Sequence, residues 1–191
     1  TWLPVHFIVG NHDIYYKNTL EVNCYKELRI PGEENAWYVH DTPALANFQG
    51  YDIAMIPWIT AETYADTMNF IKNTSAQVAM GHLEIKGFEM HSGIMSDHGM
   101  EKTLFNNFDM VMSGHFHKRS SDGHINYLGC PYEMNWADSG DPKGFHTFDI
   151  TTRELEFIPN TRSMFHKVRY DDRTTTDYLG MDLSHFEGKF I

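Results

Sequence analysis

Amide and imidazole side chains recur in one setting along this 191-residue chain. Three short apolar runs each end in a glycine followed by a residue able to ligate a metal. These are Val9-Gly10-Asn11-His12-Asp13, Met80-Gly81-His82 and Ser113-Gly114-His115-Phe116-His117. In an open α/β sheet, ligands gather beyond the carboxyl ends of the strands, where the loops converge. A glycine there lets the backbone turn and keeps bulk away from whatever sits above it. Imidazole nitrogen with amide oxygen suits Mn, Fe or Zn better than calcium. A single Gly-His at a strand end is ordinarily a hydrogen-bonded histidine; three equivalent strand ends, one doubled as His-x-His, point to a shared metal centre.

These groups need elements to position them. Leu3–Val9, Gln77–Met80 and Met110–Met112 read as short buried or apolar strands, and Trp37–His40 as strand-like. Leu45–Phe48 and Asp52–Pro57 read as a hairpin turning at Gln49-Gly50. A helical face is predicted through Leu20, Cys24 and Leu28, ended by Pro31-Gly32, and another helix over 61–72 with Thr60 as its cap. Residues 83–97 read as irregular, 100–107 as a short helix. Then Ile125–Leu128, Phe145–Ile150 and Glu154–Ile158 are strands, the last two joined by Thr151-Thr152-Arg153. Beyond Thr161 only 167–170 suggests an element. Strands alternating with helices and then a β run give an α/β sandwich.

Composition sets the outer bounds. Fifteen basic and 26 acidic residues leave a net charge of −11, which excludes nucleic-acid or membrane binding driven by bulk positive charge. Hydrophobic residues make up 41%, enough for a core. No apolar run approaches the roughly 20 residues that span a bilayer. Cys24 and Cys130 are too few for a disulfide framework and fit a reducing compartment. The chain opens on Thr1-Trp2 and runs at once into a strand, so the expectation is that further sequence precedes it.

The series Gly-Asn-His-Asp, Gly-His and Gly-His-Phe-His resembles the third to fifth motifs of calcineurin-like metallophosphoesterases. Within them it most resembles nuclease subunits of the SbcCD type, particularly those of tailed-phage recombination systems. Ile56-Pro57-Trp58, Gly129-Cys130-Pro131, Asp141-Pro142-Lys143-Gly144-Phe145 and Phe157-Ile158-Pro159-Asn160 extend the resemblance to about residue 160. It implies a metallophosphoesterase-type β-sandwich flanked by helices, with N-terminal strands missing from this chain. Residues 1–160 would be an N-terminally incomplete nuclease domain, and 161–191 the start of a C-terminal extension or cap.

The resemblance also implies roles. Asn11, His82 and His115 would hold one of two divalent metals, Mn first with Mg, Fe or Zn as alternatives, and His117 would reach the other. His12 would act on the scissile phosphate as transition-state stabiliser or acid. Asp13 either orients His12 or caps the following turn. Tyr16 and Lys118, with Tyr15, Lys17 and Arg119 beside them, are candidate DNA contacts, and Trp136 either stacks a base or packs in the core. Met90, Met95 and Met100 are expected to fill gaps, and His91, His98, His124, His146, His166 and His185 to be solvated or hydrogen-bonded. Implied partners are DNA and an SbcC-like ATPase, with a homodimer left open and no membrane, in the cytoplasm of a bacterial or phage-infected cell.

The family's Asp-x-His and Gly-Asp-x-x-Asp motifs do not precede Gly10, and no later stretch takes their place. Without a bridging carboxylate two cations repel each other uncompensated, so this chain alone is expected to be inactive or nearly so. The alternatives are a phosphatase or cyclic-nucleotide phosphodiesterase of the same superfamily, or a noncatalytic scaffold docking the ATPase.

Overall fold

Side chains of successive strand residues point to opposite faces, and the strand Tyr51–Ile56 uses both. Ile53 and Met55 enter one core, Ala54 and Ile56 the other. A computed structural model describes residues 3–28, 37–91, 93–168, 171, 173, 180 and 182–191. Among these, β1 (Val5–Ile8) is followed by the single-turn α1 (Cys24–Glu27), β2 (Trp37–His40), β3 (Ala44–Phe48) and β4 (Tyr51–Ile56). Then come α2 (Tyr64–Asn73), β5 (Val78–His82), β6 (Glu89–His91), β7 (Ile94–Met95), a 3-10 turn (Lys102–Phe105) and β8 (Met110–Gly114). β9 (Ser120–Ser121), β10 (Ile125–Tyr127), a 3-10 turn (Trp136–Asp138), β11 (Gly144–Phe148), β12 (Leu155–Pro159) and a 3-10 turn (Ser184–Phe186) complete the order.

The central sheet of the described residues has six strands in the order β3-β4-β5-β8-β10-β9. β4, β5, β8 and β10 run parallel, with antiparallel β3 and β9 at the edges. One face buries Ala79, Leu83, Phe105, Val111 and Tyr127 against α2 and its neighbours. The other buries Val78 and Met112 against Ile8, Phe148 and Leu155, from the pairs β1-β2 (parallel) and β11-β12 (antiparallel). The fold is α/β, and its layering agrees with a metallophosphoesterase-type sandwich.

The predicted hairpin turns at Gln49 (φ 53°) and Gly50 (φ 92°), the double left-handed step that matches strand twist. Elsewhere, local side chains shift the predicted elements. The 20–28 helix shrinks to α1 because Asn23, buried and bonded to the Leu20 carbonyl, caps it by accepting from Lys26 N. Leu20 is buried while Leu28 is 64% exposed, so no continuous apolar face exists. The predicted end at Pro31-Gly32 lies outside the described residues.

α2 begins at Tyr64, after Thr60 and Thr63 fold the preceding turn by bonding each other's backbone N–H. The 100–107 helix is only the 3-10 turn, and the irregular stretch holds the β6-β7 hairpin, which turns at Gly93 (φ 80°). Lys167 and Val168 form no element; residues 169 and 170 are not described. Met90 and Met100 pack on the core, whereas Met95 is 59% exposed on the two-residue β7 and fills no gap.

The register of β5 is set beyond its last residue. Leu83 N–H donates to Ser113 Oγ (3.0 Å), and the Tyr127 hydroxyl donates to Leu83 O (2.8 Å) while accepting from Ile85 N (2.9 Å). Tyr127 is 1% exposed, so its hydroxyl satisfies two backbone groups that water does not reach. Tyr127→Phe removes that bridge and keeps the ring. It is expected to lower unfolding free energy by about 1–3 kcal/mol, read by urea denaturation followed by circular dichroism.

Candidate metal centre

The ends of β1, β5 and β8 converge, as their glycine-terminated sequences predict. His82, the last residue of β5, donates from Nε2 to Asn11 Oδ1 at 2.8 Å across 71 positions of sequence. The His115 ring lies 5.3 Å from that of His82, centroid to centroid, edge to face. The ring of Trp58, after β4, packs against both, at 6.1 Å and 5.0 Å, and the Trp58 backbone N–H donates to the carbonyl of Val9. β1 is thereby tied to the central sheet one residue before Gly10.

The glycines serve clearance here more than turning. A Cβ on Gly10 would lie 2.8 Å from His82 Cε1, and one on Gly114 would lie 3.2 Å from His82 Nδ1. The imidazole occupies the space those side chains would need. His115 itself has φ 88°, a left-handed conformation that costs a non-glycine residue energy and recurs where a side chain must be aimed. Asp13 closes the Asn-His loop: Oδ2 accepts Gly10 N at 2.7 Å and Oδ1 accepts the Cys24 thiol at 3.6 Å. These two bonds tie its carboxylate to the loop and to Cys24.

Burial dominates the electrostatics. It lowers the His82 pKa to about 4, with His115 and His12 adding to the depression and Asp13 opposing it. His115 is lowered by burial too, with Glu84 opposing and His12 and His117 reinforcing. Both rings are neutral at pH 7, the state in which imidazole ligates a metal. His12 is exposed, and its neighbourhood contributes to lowering the pKa of both rings.

His117 sits in a different setting. Its Nδ1 lies 3.3 Å from Asp138 Oδ2; Lys143 Nζ donates to Asp138 Oδ1 (3.0 Å) and to the His117 carbonyl (2.9 Å). Asp138 and Lys143 are 0% and 4% exposed. The sequence marks the Asp-Pro-Lys-Gly-Phe stretch without giving Lys143 a role, and it assigns none to Asp138, Trp58 or Glu84. No spacing signal marks Asp138, because it meets His117 from 21 residues away.

The candidate DNA contacts have different local partners. Tyr15 and Tyr16 are exposed and pack edge to face at 4.9 Å. Lys118 pairs with Glu89 at 2.7 Å, and Arg119 lies over the Phe157 ring at 4.1 Å. Trp136 is 44% exposed against Phe165, which excludes the core-packing alternative. His124 bonds the Phe108 carbonyl, and Cys24 and Cys130 are free thiols.

Among the described residues no three His, Cys, Asp or Glu side chains form a ready cage; the convergent set needs the Asn11 amide. Its donors fit a borderline cation. Two ligands about 2.1 Å from one ion at near-tetrahedral or right angles stand roughly 3.0–3.4 Å apart, and Asn11 Oδ1 and His82 Nε2 are 2.8 Å apart without one. Insertion of an ion needs a shift of a few tenths of an ångström and loss of the His82 Nε2 proton.

The mixed α/β architecture, with the ends of β1, β5 and β8 meeting, agrees with a metallophosphoesterase-like fold. The chain is 36% identical over 178 residues to exonuclease subunit 1 of Enterobacteria phage T4, a match covering 92% of this chain and 51% of that protein. It is 30% identical over 98 residues to the SbcD component of the SbcCD nuclease of Staphylococcus saprophyticus, covering 47% of this chain and 26% of the relative. No family model matches the chain. The chain is thus similar to these two nuclease subunits, and spans about half the length of the phage relative.

The depressed His82 pKa makes stability pH-dependent in a defined direction. Between pH 6.5 and about 4 the unfolded chain binds a proton at this site that the native chain does not. The contribution is therefore complete above pH 6.5 and lost as pH falls toward 4. Urea midpoints of wild type and His82→Gln should diverge on acidification, wild type losing on the order of 2 kcal/mol relative to the variant between pH 7.5 and 5. Parallel curves would refute the burial of a neutral ring.

Proposed function

We propose that the chain supplies the metal-binding half of a two-metal nuclease centre for DNA, within a recombination and repair enzyme that also contains an SbcC-like ATPase. The observation that carries this reading is the meeting of Asn11, His82 and His115 at the ends of three separate strands. The names of both relatives support the substrate class, since each is a nuclease or exonuclease subunit. They favour DNA over a phosphatase or cyclic-nucleotide substrate.

In this reading Asn11, His82 and His115 hold one divalent cation, Mn first, and His117 faces the second. A bound pair of cations would supply activation of a water and neutralisation of phosphoryl oxygens for an in-line displacement. His12, exposed near the half-buried pair, is free to approach the scissile phosphate and protonate the leaving oxygen, which a phosphodiester needs because its leaving group is poor. Trp58 packs along one side of the His82–His115 pair.

The net charge of −11 weakens any grip on DNA through bulk electrostatics; bound cations supply positive potential locally. Tyr16 remains an exposed candidate contact. Lys118 must leave Glu89 to reach a phosphate.

The proposed ligand set of this chain is neutral. It suffices for one ion, as three protein ligands do in catalytic zinc sites, but leaves two close cations without a bridging anion. Titration calorimetry of the chain with Mn²⁺ should give no more than one tight equivalent, weakened at least tenfold by Asn11→Ala, with no DNA cleavage above background. Two tight equivalents, or Mn-dependent cleavage by this chain alone, would contradict the proposal; binding unaffected by Asn11→Ala would move the site elsewhere.

A further inference from the structure

A buried Asp–Lys pair is expensive unless both charges are fully hydrogen-bonded, and the Asp138–Lys143 pair directs its hydrogen bonds at one short stretch and one histidine. Asp138 Oδ2 accepts the N–H groups of Met134 (2.9 Å) and Asn135 (3.1 Å) and faces His117 Nδ1 (3.3 Å). Oδ1 accepts from Lys143, whose ammonium also holds the His117 carbonyl. Gly129, at φ 73°, passes so close that a Cβ there would lie 3.2 Å from that carbonyl. Both backbone and ring of His117 are thus fixed from the far side of the 129–143 loop.

Chemistry then fixes the proton. A carboxylate paired with lysine only accepts hydrogen bonds, so His117 Nδ1 must carry the hydrogen facing it, and in the neutral ring the lone pair lies on Nε2. We propose that Asp138 and Lys143 are positioning residues that hold His117 as its Nδ1–H tautomer with Nε2 as the ligating atom. The inference rests on the metal-centre reading for its purpose, not for its geometry. It gives a role to the Gly129-Cys130-Pro131 and Asp141–Phe145 stretches, which the centre itself left unused. Carboxylates behind ligating histidines commonly set ring orientation and basicity in this way.

The test is long-range ¹H–¹⁵N correlation spectroscopy of the histidine rings in the ¹⁵N-labelled, metal-free chain at pH 8, with His117 assigned by its loss in His117→Gln. The expected result is a single Nδ1–H tautomer for His117 in the wild type. In Asp138→Asn/Lys143→Met, which removes both charges together, it should give way to a mixture with an Nε2–H population of at least a third. An Nε2–H or mixed tautomer in the wild type overturns the proposal, as does an unchanged Nδ1–H tautomer in the double variant. If the variant fails to fold, the wild-type spectrum alone decides. Adding Mn²⁺ to the same sample separates the two readings. Sharp His82 and His115 signals beside an Nδ1–H His117 would remove the metal centre and leave the positioning contact. Broadened signals beside an Nε2–H His117 would do the reverse.

Discussion

The placement of one imidazole governs the arrangement of the whole site. His82 lies between Gly10 and Gly114, touches Asn11, and is held by a strand end that Ser113 and Tyr127 clamp through the backbone of Leu83. Those contacts come from three separate parts of the chain besides β5 itself, so the ring can reach its position only when β1, β5, β8 and β10 are already in place. The site therefore follows from sheet assembly. Cost accumulates in the same place: a histidine buried far enough to stay neutral, and a left-handed backbone at His115. Strain and desolvation concentrated at one end of a sheet are what a preorganised site requires, and a packed core would avoid both.

A second layer of order stands behind His117. Lys143 and Asp138 neutralise each other in the interior, and a neighbouring carboxylate extends the same strategy outward. Glu133, 4% exposed, accepts N–H groups from Gly140, Met164 and Phe165 and the hydroxyl of Ser163. The backbone after Asn160 is thereby fastened to the loop that steadies His117.

Much of this was legible in the sequence because it rests on local pattern. Short apolar runs closed by glycine identified β1, β5 and β8, and Gln49-Gly50 marked its hairpin. That pattern singled out Asn11, His82 and His115, although β1 lies in the two-stranded β1-β2 sheet and β5 and β8 in the central one. What escaped was non-local. The 20–28 segment has helical spacing, but a buried asparagine capping from within stops it. Asp138 carries no signal because its meaning lies in a lysine five residues on and a histidine 21 residues back. The motif glycines signal a turn and open space above it; only the fold shows that Gly10 and Gly114 make room for a ring contributed from elsewhere in the chain.

The central claim is that Asn11, His82 and His115 share one cation. Crystals of the chain soaked in Mn²⁺ and measured at the manganese absorption edge test it most directly. The account predicts an anomalous peak within bonding distance, about 2.0–2.3 Å, of Asn11 Oδ1 and of one ring nitrogen from each histidine. A peak lying only at surface carboxylates, with the Asn11–His82 hydrogen bond intact, would contradict it.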